Sequence, residues 1–231
     1  MRQEKSRIRI NFIVRNCIDK GTIGLTVKKL GGIIMAMNFK IYKDNELLSI
    51  YAADILRKQV HNNPTSIMAL QLDEDLAWTY EKFVGEAKQH PADFSQVYLV
   101  GVGKGGDADV FSKLDIPDSQ LRTDGTAEAL NDVLDNKKRV NLAFLTIDQD
   151  GRVGYGDSGS NDALFDAREM ILVASGKDKA KAVRELYNAK ENGGDAFGSI
   201  KQHRMVTVVL DEEAASELDQ DIVGYYTSEF A

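Results

Sequence analysis

From residue 37 onward the chain alternates short apolar runs with longer amphipathic ones. Runs of four to eight aliphatic or aromatic residues predict buried strands, and apolar residues spaced three and four apart predict helices packed by one face. On that basis strands are expected at 39–42, 66–72, 97–102, 140–147, 170–174 and 206–210. Helices are expected at 45–61, 76–88, 127–134 and 177–190, and again after 210. In the first helix Leu47, Leu48, Tyr51, Ala52, Ile55 and Leu56 share the apolar face. Asn62-Asn63-Pro64, Pro91 and Asn192-Gly193-Gly194 mark breaks between elements. Strands and helices in alternation predict an α/β fold: a single doubly wound, mostly parallel sheet with helices on both faces, Rossmann-like in outline. Neither a repeat nor a low-complexity linker divides residues 37–231.

Composition changes this picture mainly at the amino end. The 231 residues are 43% hydrophobic and 28% charged, enough for one well-buried domain. Residues 1–34 hold eight Lys or Arg against Glu4 and Asp19, which leaves the rest of the chain at −13 within a total of −7. Residues 1–36 are therefore expected to form a basic extension outside the fold, or to reflect an upstream start codon. A transit peptide fits the basic excess but not the scarcity of serine, and Ile10–Val14 is short for the apolar core of a signal peptide. The acidic balance argues against nucleic acid or an anionic membrane as a partner. Cys17 is the one cysteine, which fits a reducing cytoplasm, and no apolar run approaches membrane-spanning length.

The candidate chemistry lies in loops that follow strands, where doubly wound folds place their ligands. Asp73-Glu74-Asp75 follows a strand and opens a helix, as an acidic amino-terminal cap or as a cation or amine site. Gly101-Val102-Gly103-Lys104-Gly105-Gly106 reads as a structural turn or as a phosphate cradle with Lys104 adding charge. Asp148-Gln149-Asp150-Gly151 between apolar runs reads as a hairpin turn, and the later spacing excludes a calcium loop. Cys17 has no partner and His61, His90 and His203 are scattered, so neither a metal site nor a cofactor is expected. His203 reads as a packing or surface residue.

The run from Leu142 to Asp157 resembles the active-site turn of the glucosamine-6-phosphate deaminase and 6-phosphogluconolactonase family, Gly-x-Gly-x-Asp-Gly-His with Asn-Glu further on in the deaminases. Asp150 and Gly151 match the motif, Arg152 stands where the family has histidine, and Asp157 aligns with the family glutamate. Thr79-Tyr80 matches a Thr-Tyr in the family's helix, which places Asp73, Glu74 and Asp75 where the sugar phosphate would rest. Lys179, in Ser175-Gly176-Lys177-Asp178-Lys179-Ala180, matches the family lysine that touches that phosphate. Gly103 occupies the position of the aspartate that abstracts a proton at the sugar C2. Ser199, His203 and Asp211-Glu212-Glu213-Ala214-Ala215 are similar to the family's carboxy-terminal signature. The segment between Asp157 and Ala167 is shorter than in the deaminases and lacks their second phosphate-binding arginine.

The resemblance covers residues 37–231 and implies descent from enzymes of carbohydrate metabolism that act on phosphorylated amino sugars or sugar lactones. Arginine cannot replace the histidine as a proton shuttle, because its pKa stays above about 12. The expectation is thus a deaminase-like protein with a degenerate site that binds a sugar phosphate or related small molecule without the family reaction. The alternatives are an active isomerase, deaminase or lactonase using Asp150 and Asp157 with Lys179 or Lys104 holding the anion, and a non-catalytic structural or partner-binding oligomer, a homo-oligomer among the options. Gly151, Arg152, Lys104, Lys179 and Asp73 are the candidate ligand contacts.

Overall fold

The computed structural model describes residues 36–135, 138–156, 159–191 and 195–228. Residues 1–35 of the basic extension, and its proposed origin, lie outside the described residues, as do Asp157 and the expected turn at 192–194, whereas Ala36, expected outside the fold, opens the first strand.

Seven strands form one sheet: β1 (Ala36–Tyr42), β2 (Ile67–Gln71), β3 (Tyr98–Val102), β4 (Leu121–Arg122), β5 (Leu142–Thr146), β6 (Glu169–Ala174) and β7 (Met205–Asp211). Their order is β1-β7-β6-β5-β2-β3-β4, and every pairing is parallel. The interior strands are mostly apolar because both of their faces are covered, with polar residues such as Gln71, Thr146, Glu169 and Asp211 at their ends. Met68 and Leu70 pack with α1 (Asn45–Asn62) and α2 (Ala77–Gln89), whereas Ile67 and Ala69 pack with α3 (Ala127–Leu134) and α5 (Ala180–Asn188). Alternate residues of one strand therefore anchor helices on opposite faces, as a doubly wound sheet requires.

The helix starts have local causes. Asp44 caps α1 by accepting from the Leu47 N–H at 2.9 Å, and Thr126 caps α3 by accepting from Ala129 N–H at 3.2 Å. In α1 the buried ridge is Leu48, Ala52 and Leu56, while Leu47 is exposed at one margin of the expected face. The expected helix at 177–190 is a 3-10 turn at Lys177–Lys179 followed by α5. Two short helices escape the periodicity, α4 (Asp162–Phe165) and α6 (Ala196–Gln202). Each is too short to display a repeat, and α6 depends on its Asp195 cap, whose carboxylate accepts from Gly198 N–H at 2.7 Å. After β7 the chain turns through Glu212–Leu218 before α7 (Gln220–Ser228).

From β2 the chain winds outward to β3 and β4, and β5, β6 and β7 lie on the other side of β2. The winding direction reverses between β2 and β5, so their carboxyl ends open the crevice where such sheets bind ligands.

Candidate functional site

A cleft of about 350 Å³ occupies that crevice, lined by Gln71, Asp73, Asp148, Arg152, Val153, Gly154, Tyr155 and Gly156. Gln71 ends β2 and holds the crevice together. Its side-chain oxygen accepts from Thr146 N–H at 3.1 Å and from Gly154 N–H at 3.2 Å, joining β5 to the loop that follows it. Its main-chain carbonyl accepts the Tyr80 hydroxyl at 2.5 Å, and burial holds that phenol protonated far above its ordinary range.

The Asp-Gly turn is a tight hairpin closed by an antiparallel bridge between Ile147 and Val153. Asp148 organises it: its carboxylate accepts from Asp150 N–H at 2.9 Å and Arg152 N–H at 2.8 Å. Gly151 at the apex has φ +80°, and a Cβ there would lie 3.0 Å from the Phe197 ring of α6. Only glycine meets both conditions. Asp150 points to solvent and pairs with Arg152 at 2.9 Å, and Asp148 lies 3.8 Å from the same guanidinium. The loop beyond is pinned by Asn161, whose oxygen accepts from Tyr155 N–H at 2.9 Å and whose amide donates to Val153 O at 3.2 Å. Tyr155 donates its hydroxyl to Thr126 O at 3.1 Å; burial, with the charge of Glu128, pushes its pKa up to about 12.

Of the residues singled out from the sequence, Asp73 and Arg152 line the cleft, with Asp150 and Gly151 on the turn beside it. Lys104 and Lys179 do not line it. Lys104 is exposed on the glycine loop after β3, and that loop packs by its backbone. Gly105 N–H donates to Leu72 O at 2.8 Å and Gly103 N–H to Gly125 O at 3.0 Å. A Cβ on Gly125 would sit 1.9 Å from the Gly103 oxygen, so close approach explains glycine at 125. At Gly103 itself, with φ +73°, a Cβ would meet nothing within 4 Å.

Lys179 is 5% exposed and turned toward the loop after β2. Its ammonium lies 2.6 Å from the Asp75 carboxylate and 3.3 Å from Asp178, and donates to Ser175 O at 3.5 Å. Burial alone would lower its pKa, but the hydrogen bond and charge of Asp75, then of Asp178, more than offset that and raise it. The acidic loop is thus both a cap and one half of an ion pair: Asp73 caps the 3-10 turn at Glu74–Leu76 by accepting from Asp75 N–H at 3.0 Å, and Asp75 reaches Lys179.

The signature after β7 is structural in the same neighbourhood. Asp211, 4% exposed, accepts from Ser175 Oγ at 2.6 Å, Gly176 N–H at 3.0 Å and Ala214 N–H at 2.7 Å. His203 is buried at the other end of the sheet: Nδ1 accepts from Met205 N–H at 3.1 Å and Nε2 donates to Ala167 O at 2.8 Å. That is a packing histidine, as its isolation in the sequence implied.

Sequence reasoning missed Gln71, Asn161 and Tyr155. The available signal for Gln71 was one amide at the carboxyl end of an apolar run; for the other two the signal exists only in three dimensions. Among the described residues no cluster of three His, Cys, Asp or Glu is placed to hold a metal ion, and no helix is long and apolar enough to cross a membrane.

With this geometry in place, similarity to known proteins is informative. The chain is 23% identical over 241 residues to a glucosamine-6-phosphate deaminase of Alkaliphilus oremlandii (strain OhILAs), covering 79% of this chain and all of that one. Its fold superposes on a monomeric glucosamine-6-phosphate deaminase with TM-score 0.66 at 18% identity, over 78% of this chain and 99% of the other. It superposes on 6-phosphogluconolactonase from Trypanosoma brucei with TM-score 0.63 at 14% identity, over 80% and 100% of the two chains. The chain is thus similar along most of its length to glucosamine-6-phosphate deaminases, and it shares its fold with them and with 6-phosphogluconolactonases. No protein-family model matches it. The cleft lining carries two carboxylates, Asp73 and Asp148, and one guanidinium, Arg152, and among the described residues no histidine. Tyr155 stays protonated at neutral pH, so among the described lining residues the carboxylates of Asp73 and Asp148 are the groups suited to accept a proton.

Proposed function

We propose that this chain is a deaminase-like protein of carbohydrate metabolism that keeps the family cleft for a polar sugar-like ligand, without the family's phosphate grip and without the deaminase reaction. The observation that carries this reading is the 2.6 Å pair between Lys179 and Asp75. The lysine that resembles the family's phosphate ligand is buried against a carboxylate of its own chain. A phosphate would have to displace a tethered anion whose effective concentration is on the order of millimolar or higher. Once there it would also meet the charges of Asp73 and Glu74 on the same loop. Arg152 at the histidine position and Gly103 at the base position remove the two proton-transfer groups the reaction needs, each worth roughly 100- to 10,000-fold in rate. A neutral or cationic amino sugar meets no such repulsion from Asp73 and Asp148.

Calorimetric titration of the full chain with glucosamine 6-phosphate, 6-phosphogluconate and glucosamine, with ammonia release assayed in parallel, tests the reading. The unphosphorylated sugar should bind, the phosphorylated sugars should bind at least about ten-fold more weakly, and no ammonia should form. Asp75→Ala should restore phosphate binding, and Asp75→Ala with Lys179→Ala should lose it again. Micromolar binding of glucosamine 6-phosphate by the unmodified chain, or its turnover, would overturn the proposal.

A further inference from the structure

A second cleft, of about 620 Å³, lies at the opposite end of the sheet, where the segments entering β2, β3, β4, β5 and β6 converge. Its lining comprises the cations Lys138, Arg139 and Arg168, a set of uncharged residues that includes Tyr98, Gln120 and Asn141, and no carboxylate. In a chain of net charge −7 this is an unusual concentration of positive charge.

The cations are differently held. Arg139 is fixed: its Nη2 donates to Asp166 Oδ1 at 3.0 Å and to Ala167 O at 3.4 Å and its Nε to Asp166 O, which leaves the Nη1 N–H groups of the fork without a partner among the described residues. Lys138 places its ammonium 5.3 Å from the centre of the Tyr98 ring. Arg168 is exposed and has no carboxylate partner among the described residues. Asp166 thus offsets one of three cations, and the remaining charges repel one another unless an anion sits between them. Two neutral groups add a second requirement. Gln120 carries a buried side-chain oxygen with no hydrogen-bond partner, while its amide donates to Ser95 O at 2.9 Å. That acceptor calls for a hydroxyl or amine donor. Asn141 is locked by accepting from Ile67 N–H at 2.9 Å, so its own amide is presented from a fixed position.

The geometry points to a binding site here for a hydroxylated small molecule carrying at least two phosphate-type anionic groups. The anions engage Arg139, Arg168 and Lys138, and a hydroxyl donates to Gln120. The volume falls within the range usual for sites of nucleotide or sugar-phosphate size. A nucleoside polyphosphate and a sugar bisphosphate share this chemistry. The site is independent of the reading of the β2–β5 cleft, since no residue lines both.

The test is titration of the full chain, in low salt, with adenosine triphosphate, fructose 1,6-bisphosphate and pyrophosphate. At least one of the two hydroxylated probes should bind in the micromolar range and more tightly than pyrophosphate. Arg168→Ala and Lys138→Ala should each weaken that binding by about ten-fold, as expected for charge-assisted contacts. Lys179→Met, which removes at the other end the lysine that could take a phosphate, should leave it unchanged. Preference for the nucleotide or for the sugar bisphosphate decides between the two sources. Absence of binding by all three probes, or binding indifferent to Arg168→Ala in a variant that melts like the unmodified protein, would overturn the assignment.

Discussion

The two ends of the sheet solve the problem of charge in opposite ways. At the carboxyl end of the strands the charged groups answer one another within the chain: Asp75 meets Lys179, Asp150 meets Arg152, and Asp211 is enclosed by Ser175, Gly176 and Ala214. At the amino end three cations line one cleft and Asp166 offsets only one of them. Around the β2–β5 cleft most charge is thus paired within the chain, and in the basic cleft it is not. A fold does not by itself say which of its clefts carries uncommitted binding chemistry.

This contrast is sharpened first by Asp211→Ala, which should have the largest effect. It removes the acceptor of the half-buried Ser175 hydroxyl and Gly176 N–H and of the buried Ala214 N–H. A loss of about 3–5 kcal/mol is expected, at roughly 1–3 kcal/mol per unsatisfied donor. Chemical denaturation checks it; a loss below about 1 kcal/mol would mean the network is not the anchor of that end.

The ion pair should then prove asymmetric. Asp75→Ala leaves the ammonium of Lys179 buried with only the longer contacts to Asp178 and Ser175, and should cost about 2–3 kcal/mol. Lys179→Met removes the buried charge itself and leaves a half-exposed carboxylate that water can solvate, so about 1 kcal/mol or less is expected. Equal losses would show that the pair is solvated and would weaken the case for a closed phosphate position.

The smallest effects belong to the amino end. Burial raises the Glu169 pKa, and His203 only partly offsets it, so in the unfolded chain this carboxyl ionises at lower pH than in the folded one. Its contribution to stability is therefore fully present below the ordinary glutamate range, about pH 4, and is lost as pH rises through the folded-state value. Glu169→Gln should raise the melting temperature at pH 7, with the gain vanishing near pH 4. The neighbouring Arg168→Ala should shift stability by less than about 0.5 kcal/mol, as for an exposed side chain without a partner. A larger loss would show that Arg168 is tied down after all, and the contrast between the two ends would fail.

The sequence by itself determined the elements whose cause is local or periodic. Buried strands such as β2 and β5 are unbroken apolar runs, α1 has a cap and a ridge, and Asp148 closes a turn with neighbours two and four residues away. It also showed that Arg152 and Gly103 stand at positions where the resemblance expects a histidine and an aspartate. The tertiary structure decided everything that depends on strand order. Asp75 and Lys179 are more than a hundred residues apart, and only the sheet brings the loops after β2 and β6 together. Gln71 becomes a site residue because β5 lies beside β2, and the basic cleft exists because five separate strand entrances meet at one end. Hydrophobic periodicity sets which residues face inward; which loops become neighbours follows from how the strands are ordered, a long-range packing outcome that no local pattern encodes.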